Sequence, residues 1–438
     1  MPAYATSSEN SVEPLGLAGG MPVLEGLTVI EGGGVASAVG FKASGVHAGF
    51  RDDPNRLDLA LVVADEPAAC AATFTQNVFC AAPVVVSREH LDGVSHGVAR
   101  ALVVNSGTAN AATGPIGIES ACRTAEIAGD AVGCPSSEVM VASTGVIGTQ
   151  LDMGAFESGI PLAVAALSEG GGPSAARAIM TTDTHPKEAA VSFSGDEIGY
   201  PGCTFVVGGM AKGSGMIMPN MATMIAAITT DVPIAPDALH AALKQAVDSS
   251  FNKVTVDSDT STNDSCFAFA SGAAALGSAP FGLGSPAFAA FERALGAVCG
   301  MLARSMAADG EGATRLVTVR VAGAENEEDA DKAARTVANS PLVKTAIFGH
   351  DANWGRIAGA LGRSGARFEQ ERVSIDIMGI PVLRGGLPIG FSEEEALRRF
   401  ERPEIDIDVD LGAGNASTVI WTCDFSHEYV TINGDYRT

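Results

Sequence analysis

The sequence predicts a mixed fold, α/β or α+β, on three observations. Apolar runs of strand length alternate with longer segments of helical periodicity from residue 41 onward. Hydrophobic residues make up 46% of the 438 and charged residues 18%, enough apolar surface for a large core. The 52 glycines follow no collagen-like period, so they serve turns and close backbone approaches. At about 150 residues per domain, the length points to two or three domains.

Residues 1–40 hold Gly, Ser and Glu with weak periodicity and read as a poorly ordered N-terminal extension. The apolar runs at 59–63, 82–86, 101–104 and 139–142 read as strands, with helical pieces at 120–132 and 175–180 between them. Residues 237–247 have apolar positions at helical spacing behind an Asp near the N-cap. A second long helix is predicted over 286–308, closing before Asp309-Gly310. Residues 316–321 read as a strand, and the acidic run 325–331 opens a further helix as a solvated face. The strand at 404–411 alternates acidic with apolar residues, so one face meets solvent or the strand is an edge. No internal repeat is present.

Charge and motifs exclude much. With 27 basic against 51 acidic residues the net charge is −24, which disfavours nucleic acid and anionic membranes as partners. No Lys or Arg precedes Lys42, so neither a secretory signal nor a transit peptide is read at the start. The eight cysteines show no C-x-x-C spacing and suit reduced thiols in a cytoplasm. Two uncharged stretches, 213–230 and 265–291, reach membrane-spanning length, but Gly and Pro interrupt them, and both read as buried segments of a soluble protein. No dinucleotide or phosphate-loop glycine motif occurs. Gly93-Val94-Ser95-His96-Gly97 has the spacing of a nucleophile elbow, but it precedes a strand and reads as a turn. Asp257-Ser258-Asp259 begins like a calcium loop, yet Thr262 stands where Gly is needed and Ala268 where Glu is needed. No metal site and no cofactor are expected.

Lys212 is the only charged residue between Glu197 and Asp231, and the chain has only seven lysines. It is either a loop lysine with a packed stem or a cation that holds a carboxylate or tunes a nucleophile. Pro219-Asn220 favours a turn just beyond it, ahead of Thr223. Thr223 is either an ordinary buried threonine or a nucleophile whose own α-amine, freed by chain cleavage, serves as base.

The block Lys212-Gly213-Ser214-Gly215-Met216-Ile217-Met218-Pro219-Asn220-Met221-Ala222-Thr223-Met224 resembles the self-cleavage site of the ornithine acetyltransferase family, the bifunctional glutamate N-acetyltransferases of arginine biosynthesis. The resemblance runs in collinear order over about residues 40–438. It includes Asn105-Ser106-Gly107-Thr108-Ala109-Asn110-Ala111, Ser143-Thr144-Gly145-Val146-Ile147-Gly148 and Ile179-Met180-Thr181-Thr182-Asp183-Thr184. Further on it includes Asp259-Thr260-Ser261-Thr262-Asn263-Asp264, Asp309-Gly310-Glu311-Gly312-Ala313-Thr314, residues 339–346, Asn353-Trp354-Gly355-Arg356 and Tyr429-Val430-Thr431-Ile432-Asn433.

What this resemblance implies is specific. The fold would be an αββα sandwich of the self-processing aminopeptidase type over 41–320, with a smaller α/β domain over 321–438. Cleavage between Ala222 and Thr223 would leave Thr223 as N-terminal nucleophile, with Thr144 and Gly145 as the oxyanion hole. Thr181, Lys212, Thr223, Glu311, Asn433 and Thr438 would bind substrate. The substrates would be N2-acetylornithine and glutamate, with acetyl-CoA as an optional second donor, and the cleaved chains would assemble as an α2β2 heterotetramer. Three rivals stand beside this reading: a secondary-metabolism acyltransferase with another acceptor, an N-terminal-nucleophile amidase or aminopeptidase, and an inactive binding homologue. One departure from the family is Ser258, where glycine is usual.

Overall fold

The computed structural model describes residues 17–18, 21–22, 24–218 and 224–435. Its centre is one large sheet folded on itself. Its strands run in the order Thr28–Val29, Lys187–Ser194, Thr204–Lys212, Ile225–Thr230, Ser265–Ala270, Leu59–Phe74, His96–Thr108 and Val139–Val146. Phe41–Val46 pairs beside the long strand Leu59–Phe74. That strand carries the fold: its register against His96–Thr108 shifts between Val63 and Ala68, an irregularity that divides the sheet into two halves.

Alternation along the strands builds three cores. Ala60, Val62, Leu102 and Val104 point inward and meet Met210, Ile225, Ala227, Phe267 and Phe269 of the other half. Leu59, Leu61, Val103 and Val141 point outward onto helices Gly114–Val132 and Met153–Ala165. On the far side, Ala226, Ile228, Cys266 and Ala268 pack under Pro236–Ser249 and Pro286–Ala308. The layers are therefore helix, sheet, sheet, helix. Among the described residues, Pro286–Ala308 is the one helix long and apolar enough to cross a bilayer, and 72% of its apolar window is buried in the protein.

A six-stranded sheet forms the C-terminal part, in the order Leu387–Pro388, Ile380–Arg384, Ser374–Ile377, Glu404–Asp410, Leu316–Ala324, Ala416–Cys423. Helices Glu327–Ala338 and Trp354–Gly362 cover its apolar face. The sheet is stitched to the sandwich through Trp421, whose carbonyl accepts the Thr255 N–H at 2.9 Å and whose ring lies in the sandwich core.

Three sequence expectations are corrected and one is narrowed. Residues 82–86 are not a strand but the start of helix Ala82–His90: Pro83, lacking an N–H, fits the first turn, and Val84 and Val86 are buried. Residues 24–40 are not a loose extension, because Thr28–Val29 pairs at the sheet edge and Val35 is fully buried. The acidic run at 325–331 is not wholly solvated: Asp329 is buried, paired with Arg367 at 2.9 Å and capped by Asn326. Of the two alternatives for strand Glu404–Asp410 the solvated face holds, since the strand is interior to its sheet. Its acidic face is partly solvated, and Arg320 pairs with both Asp406 and Asp408.

Candidate active site

The strand Thr204–Lys212 and the strand Ile225–Thr230 are antiparallel neighbours at the middle of the sheet, with Lys212 opposite Ile225. Of the connection between them, residues 213–218 and 224 are described. Lys212, the last residue of its strand, is only 3% exposed. Its ammonium lies 3.5 Å from the Thr144 hydroxyl and 4.0 Å from Asp183 Oδ2. Lys212 is therefore a buried strand residue and not a lysine of a surface loop.

Asp183 organises this end. Its carboxylate accepts the Gly213 N–H at 2.7 Å, the Thr181 N–H at 3.0 Å and the Lys187 ammonium at 2.7 Å. Lys187, also fully buried, donates to Asp309 at 2.6 Å. Burial alone would push the Asp183 carboxyl up, but Lys212, Lys187 and the hydrogen bonds hold it well below the usual carboxylate range. Burial pulls the Lys212 ammonium down, and Asp183 opposes that pull. Charges this deep persist because each is paired.

Thr144 and Gly145 end the strand Val139–Val146, where the ladder is irregular: Thr108 registers against both Thr144 and Val146. Gly145 has φ +129°, and a Cβ there would stand 2.4 Å from the Gly107 carbonyl oxygen, so only glycine fits. Asn263 fixes the neighbouring loops by donating to the carbonyls of Ala109 at 2.6 Å and Ser143 at 2.8 Å. Across the cleft, Glu311 accepts from the Asn433 side chain at 2.7 Å, and its N–H binds the Ser214 carbonyl. A Cβ on Gly215 would meet the Glu311 carboxylate at 2.3 Å.

Thr144, Gly145, Thr181, Lys212, Glu311 and Asn433 thus line one cleft with about 570 Å³ of empty volume. Ala222, Thr223 and Thr438 lie outside the described residues. On the described side of that gap Met224 donates its N–H to Asp264 at 2.8 Å. Asp264 is wholly buried, its second oxygen has no described hydrogen-bond partner, and burial raises its carboxyl well above the usual range. Chemically the cleft offers a cation, a paired carboxylate and an irregular strand end whose amides can face an oxyanion.

The sequence profile of the ArgJ family matches residues 42–438. The chain belongs to the ArgJ family. It is 47% identical over 407 residues to the arginine biosynthesis bifunctional protein ArgJ of Symbiobacterium thermophilum, covering 93% of this chain and 99% of that one. With the protein of the same name from Nitratidesulfovibrio vulgaris it is 45% identical over 404 residues, covering 92% and 100%. Among solved structures, the Bacillus halodurans arginine biosynthesis bifunctional protein argJ is 43% identical, with a TM-score of 0.46, covering 48% of this chain and 98% of that one. In this ArgJ-family cleft, sequence reasoning assigned no role to Asp183, Lys187, Asn263, Asp264 or Asp309. A usable signal existed for Lys187: lysine is rare in this chain, and rare charges in apolar surroundings tend to be paired.

Proposed function

We propose that this chain is a self-processing acetyltransferase of arginine biosynthesis that moves the acetyl group of N2-acetylornithine to glutamate through an ester on Thr223. The observation that carries the proposal is the convergence of Thr144, Gly145, Thr181, Lys212, Glu311 and Asn433 on one cleft, which Gly215 and Met216 also line. Membership of the ArgJ family supports the pathway and the acyl-transfer chemistry.

In this reading the Ala222–Thr223 bond is cut and the freed α-amine, of ordinary pKa about 7.7–8.0, takes the Thr223 hydroxyl proton. The hydroxyl oxygen attacks the acetyl carbonyl, and the oxyanion is held at Thr144 and Gly145. The amide C–N bond then breaks, the proton passes to the leaving amine and ornithine departs. The glutamate amine attacks the ester by the reverse sequence and leaves as N-acetylglutamate. Lys212 takes a substrate carboxylate, Glu311 with Asn433 takes the amine end, and Thr181 and Thr438 complete the binding set. Acetyl-CoA serves as a second acetyl donor. The two cleaved chains assemble as an α2β2 heterotetramer in the cytoplasm.

The test is direct. Purified protein with N2-acetylornithine should make N-acetylglutamate only when glutamate is present. Acetate release without glutamate would instead identify a hydrolase, and no turnover with either would sink the reading. Denaturing gels should show two fragments for the wild type and one for Thr223→Ala; a single band for active wild type would remove Thr223 as the N-terminal nucleophile.

A further inference from the structure

Three of the seven lysines are buried, Lys187, Lys212 and Lys344. The first two belong to the cleft. Lys344, on helix Pro341–Phe348, is 1% exposed, and among the described residues no carboxylate lies within ion-pairing distance of its ammonium. Its Nζ donates to Thr422 Oγ1 at 2.7 Å and to the Cys423 carbonyl, and it sits 4.5 Å from the centroid of the Phe425 ring. Its own carbonyl accepts the Phe425 N–H. A buried cation whose donors go to one short stretch, 422–425, is a clamp on that stretch.

The stretch controls both polar walls of the cleft. The Cys423 sulfur fills the space a Cβ on Gly310 would take, 2.6 Å away, directly under the Glu311 turn. Asp424 accepts the Thr314 and Arg315 N–H groups at 2.7 and 3.0 Å, closing the same turn. Phe425 stacks on Tyr429, centroids 4.6 Å apart, and Ser426 bonds the Gly312 carbonyl. Tyr429 lies on helix His427–Asp435, which has no buried residue and carries Asn433 to Glu311. So exposed a helix depends for its position on these few contacts.

We propose that Lys344 is a positioning residue for substrate binding: by holding 422–425 it sets the Glu311 turn and the Asn433 helix at the distance that makes one amine-binding subsite. The inference rests on the acetyl-transfer reading above.

Lys344→Met tests it, because methionine fills the space but removes the donor to the Thr422 hydroxyl and the Cys423 carbonyl, a loss that costs some stability. The KM for N2-acetylornithine should rise about tenfold with kcat changed by less than about threefold, the pattern of lost binding. Amide exchange across 427–435 should speed up, with the thermal midpoint falling by no more than about 5 °C. Unchanged KM and unchanged exchange would overturn the proposal, as would a lowered thermal midpoint with KM intact. Should Lys344→Met fail to fold, Phe425→Leu, which removes the ring between Lys344 and Tyr429, must reproduce both effects, and its failure to do so overturns the proposal equally. If wild type does not turn over N2-acetylornithine, the functional reading fails, while the exchange measurement still decides the role of Lys344.

Discussion

At the scale of single residues, position 258 shows what a side chain costs at a left-handed backbone position. Ser258 has φ +66°, in the left-handed region that glycine enters freely and an L side chain enters at a cost of about 1–2 kcal/mol. It follows Asp257, whose carboxylate accepts the Met216 and Ile217 N–H groups at 2.6 and 2.8 Å and so fixes the segment leading toward residue 223. Ser258→Gly should therefore raise stability by about 0.5–1 kcal/mol, the strain relief being partly offset by unfolded-state entropy. Equilibrium denaturation would measure it, and a loss of stability would mean that the Ser258 hydroxyl matters more than its backbone. Glycine at 145 and 215 has a related meaning. Both leave room for protein, the Gly107 backbone at one and the Glu311 carboxylate at the other.

At the scale of elements, helix His427–Asp435 and the segment 82–86 mark the limits of pattern reading. Periodicity found helix 286–308 to the residue, because a long apolar face packed in one core repeats at helical spacing. It misread 82–86 because three consecutive valines after a proline suit a buried strand as well as a short helix buried on several sides. The C-terminal helix has no buried residue and left no apolar stripe to read; only the family resemblance marked Asn433. Its thin attachment gives a prediction: a chain ending at residue 426 should fold cooperatively, with a thermal midpoint within about 5 °C of wild type, since little apolar surface is lost. The same chain should lose more than about tenfold in kcat/KM, the helix having supplied Asn433. A large fall in midpoint would show that the helix is structural first.

At the scale of the whole molecule, the buried charges give stability a pH dependence of two signs. Asp183 has a depressed carboxyl pKa, so its contribution is full above the unfolded value of about 4 and is lost as pH falls below it. Asp257 acts in reverse: burial pushes it up to about 6, so between roughly pH 4 and 6 the folded chain holds a proton the unfolded chain has released, and stability falls as pH rises through that window. Thermal midpoints measured from pH 4 to 6 should show a slope in wild type that flattens in Asp257→Asn; an identical slope in both would exclude Asp257 as its source. The sequence by itself determined the mixed α/β class, the helices at 237–247 and 286–308, the strands at 59–63, 101–104, 139–142 and 316–321 and, through the family resemblance, the blocks around Thr144, Lys212 and Glu311, because periodicity and motif spacing are local properties of a chain. Only the tertiary structure decided that Lys187, Lys212 and Lys344 are all buried, and that Lys187 joins Asp183, 4 residues away, to Asp309, 122 residues away. Nor could the sequence say that the site glycines make room for protein. Burial of a charge is set by partners that folding brings from distant segments, and no local pattern records which ones arrive.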